Sequence, residues 1–137
     1  MAVSQLATGT PSAGTIVPEP QIAIVTELPA QTQEMIVPEL IVEQAAAYGV
    51  DSELALKIAR CESNLQQFDP KTGKLIRGRE NKADVGVFQI NEYYHLGKSQ
   101  ALGFDIETAE GNIEYAMWLI NDDGAGPWIW SKPCWNK

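Results

Sequence analysis

Glu62 is the side chain in this sequence whose setting most directly suggests acid chemistry. Asp51 is suited to cap a helix, and Leu54, Ile58 and Cys61 then repeat at helical spacing. Ala55, Ala59 and Glu62 form the adjoining stripe, so the Glu62 carboxyl comes off the last helical turn beside small and apolar neighbours. The partial negative charge of a helix C-terminus disfavours a second negative charge there, and burial against apolar groups disfavours ionisation as well. A carboxyl group kept protonated near neutral pH can donate its proton to a leaving-group oxygen, as cleavage of a glycosidic bond requires. Taken alone, the position also fits an ordinary solvated glutamate at a helix end.

Other reactive groups offer less. Cys61 and His95 could serve as nucleophile and base of a cysteine peptidase or amidase. Reactive cysteines favour helix N-termini, however, where the dipole lowers the thiol pKa, and Cys61 sits near a C-terminus. His95 is the single histidine, and no ligand cluster has metal spacing. No metal and no other cofactor is therefore expected. Cys61 and Cys134, the two cysteines, could close a long loop worth roughly 4 kcal/mol on a chain-entropy model, which would suit an exported protein. Two independent buried thiols are the other reading.

The elements that must position Glu62 can be read from the same pattern. The chain has 137 residues, the length of one domain. Residues 1–37 read as a flexible Pro/Thr/Ala-rich linker, because Pro11, Pro18, Pro20, Pro29 and Pro38 punctuate them or close them. The globular part, residues 38–137, starts with Pro38 in the first turn of a helix that runs through Leu40 to Tyr48 and ends at Gly49. The helix that carries Glu62 follows. Asp69-Pro70-Lys71-Thr72-Gly73-Lys74 is a turn signal, Leu75-Ile76 could begin a returning strand, and Asp84 to Asn91 alternate in apolar character until Gly86 breaks the pattern. A short helix is expected around Lys98 to Leu102, stopped by Gly103. Thr108 can cap a longer one whose face holds Ile113, Ala116, Met117 and Ile120. Gly124 to Lys137, rich in Gly, Pro and Trp, reads as irregular. The fold class is α+β, mainly α, with a small β-hairpin.

Charge and hydropathy limit the partners. A formal net charge of −8 argues against nucleic acid. Lys71, Lys74, Arg77, Arg79 and Lys82 nonetheless cluster, with Glu80 among them. That cluster reads as a solvated basic loop or as a substrate-facing patch. No apolar run is long enough to span a bilayer, so no integral membrane segment is expected. The N-terminus shows no basic segment followed by an apolar core, so no signal peptide is read there.

Two motifs, in order, change the weight on Glu62. Glu62-Ser63-Asn64, followed by Asp84-Val85-Gly86-Val87-Phe88-Gln89-Ile90-Asn91, resembles the lysozyme superfamily over about residues 40 to 135. In that superfamily a helix ends in Glu-Ser, a β-hairpin follows, and a Gly-x-x-Gln-Ile segment lines the cleft. The resemblance implies a two-lobed fold with a groove for alternating N-acetylglucosamine and N-acetylmuramic acid. Glu62 then falls on the general acid, Ser63 on the support beside it, and Gln89 in the cleft-lining motif. Asn91 closes that motif as a further substrate contact, and Tyr93 and Tyr94, which follow it, could border the cleft.

Two branches of the superfamily compete. Asp84 occupies the place of the second carboxylate of animal-type lysozymes, where it would stabilise or attack the developing oxocarbenium ion. It also fits a turn or capping residue of the hairpin. Bacterial lytic transglycosylases of the SLT-domain type lack such an acid and let the muramyl 6-hydroxyl attack, giving a 1,6-anhydro product. Gly111-Asn112-Ile113 resembles their Asn-Ile motif, yet their Ala-Tyr-Asn-Ala-Gly signature is missing. In its place, Gly126 to Cys134 looks like the Trp-containing, Cys-ending stretch beside the animal-type active site. Trp128 and Trp130 would point the same way from an extended segment and stack on sugar rings. Trp118 and Trp135 read as core or surface packing. The resemblance implies a monomer, secreted or held in the cell envelope, that cleaves peptidoglycan glycan strands. The alternative is a lysozyme-like module that binds peptidoglycan or a protein without cutting.

Overall fold

In the computed structural model, which describes residues 30–137, the first helix, α1 (Ala30–Tyr48), starts well before the expected position at Pro38. The rest of the expected linker, residues 1–29, lies outside the described residues. Pro38 removes one helical N–H and would by itself disfavour a helix interior by about 3 kcal/mol. Packing overrides that preference. Val37, Ile41 and Ala45 follow one another at four-residue spacing across the proline, and each is 0% exposed. Gly49 then ends the helix with φ +69°, and the Val50 N–H bonds the Ala45 carbonyl at 2.8 Å in the closing turn.

The second helix, α2 (Ser52–Ser63), is the predicted one, with the Asp51 side chain accepting from the Glu53 N–H at 2.9 Å. Ala55, Ile58 and Ala59 face the core. Asn64 stops it in the left-handed conformation, which the short polar side chain tolerates. Glu62 and Ser63 therefore stand at a fixed helix end.

The middle of the chain holds less strand than its composition suggests. β1 (Asp84–Val85) and β2 (Ile90–Asn91) pair antiparallel, Asp84 opposite Asn91 and Val85 opposite Ile90. The expected returning strand at Leu75-Ile76 is reduced to a single bridge between Leu75 and Phe68. Between β1 and β2 the chain turns, and Gly86, Val87 and Phe88 are all buried. Strict alternation would have put one of Val87 and Phe88 in solvent; a folded-in turn buries both.

Beyond the hairpin, α3 (Glu92–Ala101) begins earlier than the helix expected at Lys98, because Asn91 caps it by accepting from the Tyr94 N–H at 3.2 Å. Next, α4 (Ala109–Asp123) starts at Thr108 as predicted, its hydroxyl accepting from the Gly111 N–H at 3.0 Å. Ile113, Ala116, Met117 and Ile120 are buried, and so are Asn112, Tyr115 and Leu119. α4 is thus the most buried helix, with α1 packed along it and α2 packed on α1.

The tail is not irregular. Gly126–Ser131 forms a 3-10 segment and Lys132–Trp135 a last helical turn, α5. Pro127 and Pro133 stand at the first positions of these turns, where a missing N–H is harmless. Trp128 and Trp135 anchor the segment, 4% and 8% exposed. A disulfide joins Cys61 on α2 to Cys134 on α5, closing a loop of 73 residues. Replacing both cysteines by serine is expected to lower stability by about 3 kcal/mol, read as a fall in the urea midpoint. Among the described residues the fold is mainly helical with one two-stranded antiparallel sheet.

Candidate active site

Glu62 occupies the end of α2, half-buried, where two flanking features converge. Cys61 ties the helix to the tail, and Ser131, three residues before Cys134, donates its hydroxyl to Glu62 Oε2 at 2.5 Å. Burial pushes the Glu62 carboxyl above the ordinary carboxylate range, the Ser131 hydrogen bond pulls it back, and the negative charge of Asp84 pushes it up again. Burial of the carboxyl thus raises its pKa, and a second acid adds to it.

Glu62 forms part of a cavity of about 360 Å³ that also takes in Asp84, Gln89, Asn91, Trp128 and Trp130. The sequence-derived site is thus largely brought together. Asp84 leaves β1 opposite Asn91 and accepts from Asn91 Nδ2 at 2.9 Å, so the strand pairing itself presents the carboxylate. Gln89 has φ +49°, and its side chain folds back to donate to the Gly86 carbonyl at 3.1 Å. Ser63 does not line the cavity. Its hydroxyl lies 2.8 Å from the Val87 carbonyl and accepts from the Gln66 N–H at 3.1 Å. It fastens the hairpin turn to the end of α2.

Two expectations need correction. Trp128 and Trp130 do not share a side. The segment is 3-10 rather than extended, so residues two apart diverge around the axis. Trp128 turns inward, edge-on to Phe88 at 5.9 Å, with its Nε1 donating to the Phe88 carbonyl at 2.8 Å. Trp130 is 94% exposed at the cavity mouth. Tyr93 lies outside the cavity, and its neighbour Tyr94 lines it, because Asn91 starts a helix and sends successive side chains around it.

The hairpin turn is held from behind by two buried amides, Gln67 and Asn112. Gln67 Oε1 accepts from the Val87 N–H at 2.9 Å, and Asn112 Oδ1 accepts from the Phe88 N–H at 2.9 Å. Asn112 Nδ2 donates to the carbonyls of Val85 and Ile106 at 2.9 and 2.8 Å. Gly86 is required where these amides converge. A Cβ there would come within 2.4 Å of Gln67 Oε1, at a φ of +75° that side chains rarely adopt. The Gly-x-x-Gln-Ile pattern thus has a local cause: glycine admits the amides, and the turn they fix carries Gln89 to the cavity.

Sequence reasoning missed Ser131, Gln67 and the place of His95 in the cavity. Only Ser131 had a usable signal, since pairing Cys61 with Cys134 brings the residues before Cys134 beside Glu62. Removing the Ser131 hydroxyl takes away the one interaction that lowers the Glu62 pKa. Any activity that needs Glu62 protonated is lost as pH rises through its pKa. Ser131→Ala is therefore expected to move the alkaline limb of the pH–rate profile to higher pH. Asp84→Asn, which removes a charge that raises the same pKa, is expected to move it lower.

Cys61 cannot be a free nucleophile, being bonded to Cys134. Among the described residues no group of three or more His, Cys, Asp or Glu could hold a metal ion, and no helix is long and apolar enough to cross a membrane. In comparisons with known proteins, no family model, curated protein or solved structure matches the chain.

Proposed function

We propose that this chain cleaves the β-1,4 bond between N-acetylmuramic acid and N-acetylglucosamine in peptidoglycan, with Glu62 as general acid and Asp84 as the second carboxylate. The observation that carries this reading is one cavity lined by both carboxyl groups, with the pKa of one raised by burial and by the charge of the other. Unequal environments assign unequal roles to paired acids. Glu62 gives its proton to the glycosidic oxygen as the C–O bond breaks. Asp84 balances the positive charge that develops on the sugar ring or bonds to its anomeric carbon. Glu62, now anionic, takes a proton from the water that attacks that carbon, the C–O bond to Asp84 breaks wherever it has formed, and both carboxyl groups are restored.

The same residues support the rest of the family's features. The cavity lies where the helical part meets the segment containing the hairpin, which is where the groove of a two-lobed lysozyme-like fold would run. Trp130 and Tyr94 at its edge offer flat apolar faces for sugar C–H groups. The Cys61–Cys134 bond suits an oxidising compartment, and with it a secreted or envelope-held monomer.

Incubation with purified peptidoglycan tests this reading. Soluble fragments with reducing N-acetylmuramic ends are expected. Release of 1,6-anhydro ends would reassign the chemistry to a lytic transglycosylase in which Glu62 acts alone. Retention of the protein on the sacculus without any release would leave only a binding module.

A further inference from the structure

His95 stands near the start of α3 and lines the same cavity as Glu62 and Asp84. Its Nδ1 lies 2.8 Å from the hydroxyl of Tyr115 on α4. Tyr115 is 0% exposed, and its hydroxyl has no other partner among the described residues. A buried phenol must place its proton on an acceptor, and Nδ1 is the acceptor within reach. Tyr115 therefore donates, Nδ1 is the bare nitrogen, and the proton of the neutral ring sits on Nε2. Burial lowers the His95 pKa, and the nearby Lys98 cation lowers it further, which keeps the ring neutral at pH 7.

The ring is also held in place. It meets Tyr115 edge-on at 5.6 Å, and Tyr115 in turn stacks on Trp118 at 5.9 Å with 9° between planes. His95 Nε2 has no partner among the described residues and is not among their buried, unpartnered atoms. No lysine or arginine lines the cavity, whereas two carboxyl groups do. An anionic ligand group has nothing to pair with there, and a neutral N–H donor is suited to a neutral oxygen.

We propose that His95, oriented by Tyr115, donates its Nε2–H to an uncharged oxygen of the bound glycan, an acetamido carbonyl or a sugar hydroxyl. This makes His95 a substrate-binding residue and Tyr115 the positioning residue behind it. The inference rests on the glycan-binding side of the proposed function, and the test separates it from cleavage.

The probe is a soluble peptidoglycan tetrasaccharide, added to the full chain carrying Glu62→Gln so that binding is read without turnover. His95 is the sole histidine, so its ring-nitrogen resonances in NMR are unambiguous. They are expected to show Nδ1 bare and Nε2 protonated, with the Nε2–H signal shifting saturably as saccharide binds. His95→Leu is expected to raise Kd about tenfold, the size of one lost hydrogen bond, and to lower Tm as well, because the buried Tyr115 hydroxyl loses its acceptor, so Kd is read where the variant is folded. His95→Gln, which keeps an N–H donor, should recover most of that loss. A de-N-acetylated tetrasaccharide separates the two acceptors: the Glu62→Gln chain with His95 intact loses the tenfold if the acetamido carbonyl is the partner, and adding His95→Leu still costs tenfold if a hydroxyl is. An unchanged Kd in folded His95→Leu, or a ring signal indifferent to bound saccharide, overturns the inference even where cleavage is intact. Saccharide binding that depends on His95 in a protein releasing no fragments overturns the cleavage reading instead. Absence of any saccharide binding overturns both.

Discussion

Replacing Glu62 by glutamine is expected to lower kcat for peptidoglycan cleavage by about three orders of magnitude, the middle of the range that general acid catalysis supplies. Glutamine keeps the shape of the side chain and can still meet the Ser131 hydroxyl, so the cavity is retained while the transferable proton is lost. KM should change little, because substrate contacts are made mainly elsewhere in the cavity. Stability supplies an independent check with a definite sign. The folded-state pKa of Glu62 is raised, so its contribution to stability is complete below the ordinary carboxylate pKa and is lost as pH rises through the folded value. Above that value the partly buried carboxylate is a net cost to the folded state, so at alkaline pH Glu62→Gln should leave Tm unchanged or higher. A variant that loses activity together with several degrees of Tm would point to a structural role instead.

Asn112→Ala is expected to have the largest effect on the fold, a loss of about 4 kcal/mol. The side chain is 0% exposed and accepts from the Phe88 N–H while donating to the Val85 and Ile106 carbonyls. Each buried backbone group deprived of its partner costs about 1–3 kcal/mol, and the emptied volume beside Gly86 adds to that. In a domain of this size such a loss corresponds to a fall in Tm of well over 10 °C. Activity should fall further than the unfolded fraction explains, because the turn released is the one that places Gln89. Thermal unfolding followed by circular dichroism measures the first effect, and activity at a temperature where the variant is folded measures the second.

These outcomes depend on parts of the chain that differ in how far their sequence announces them. α2 was legible from its cap, its spacing and its end, since local preference and core packing agree there. α4 was legible for the same reason, although its burial on nearly every side was not: Asn112 and Tyr115 look like solvent positions until their buried partners are known. The start of α1 was hidden because Pro38 argues locally for a boundary, while the line of Val37, Ile41 and Ala45 overrides it through contacts distant in sequence. The tail was misjudged for the opposite reason. Its Gly, Pro and Trp content suits irregular structure, but two prolines open short turns and a disulfide pins them to α2. The difference reaches the site, because an extended tail would put Trp128 and Trp130 side by side, whereas a 3-10 segment separates them. Within the site, Glu62, Asp84, Gln89 and Asn91 were found through a motif resemblance. Ser131 and His95 carry no motif and act through neighbours that only folding supplies.

The most direct test of the central claim is mass spectrometry of the fragments released from purified peptidoglycan in heavy-oxygen water. The predicted result is soluble disaccharide-peptides whose reducing N-acetylmuramic ends carry one heavy oxygen per bond cleaved, formed by the wild-type chain and not by Glu62→Gln. Glycan strands left intact by folded wild-type protein, or cut equally well by Glu62→Gln, would contradict it.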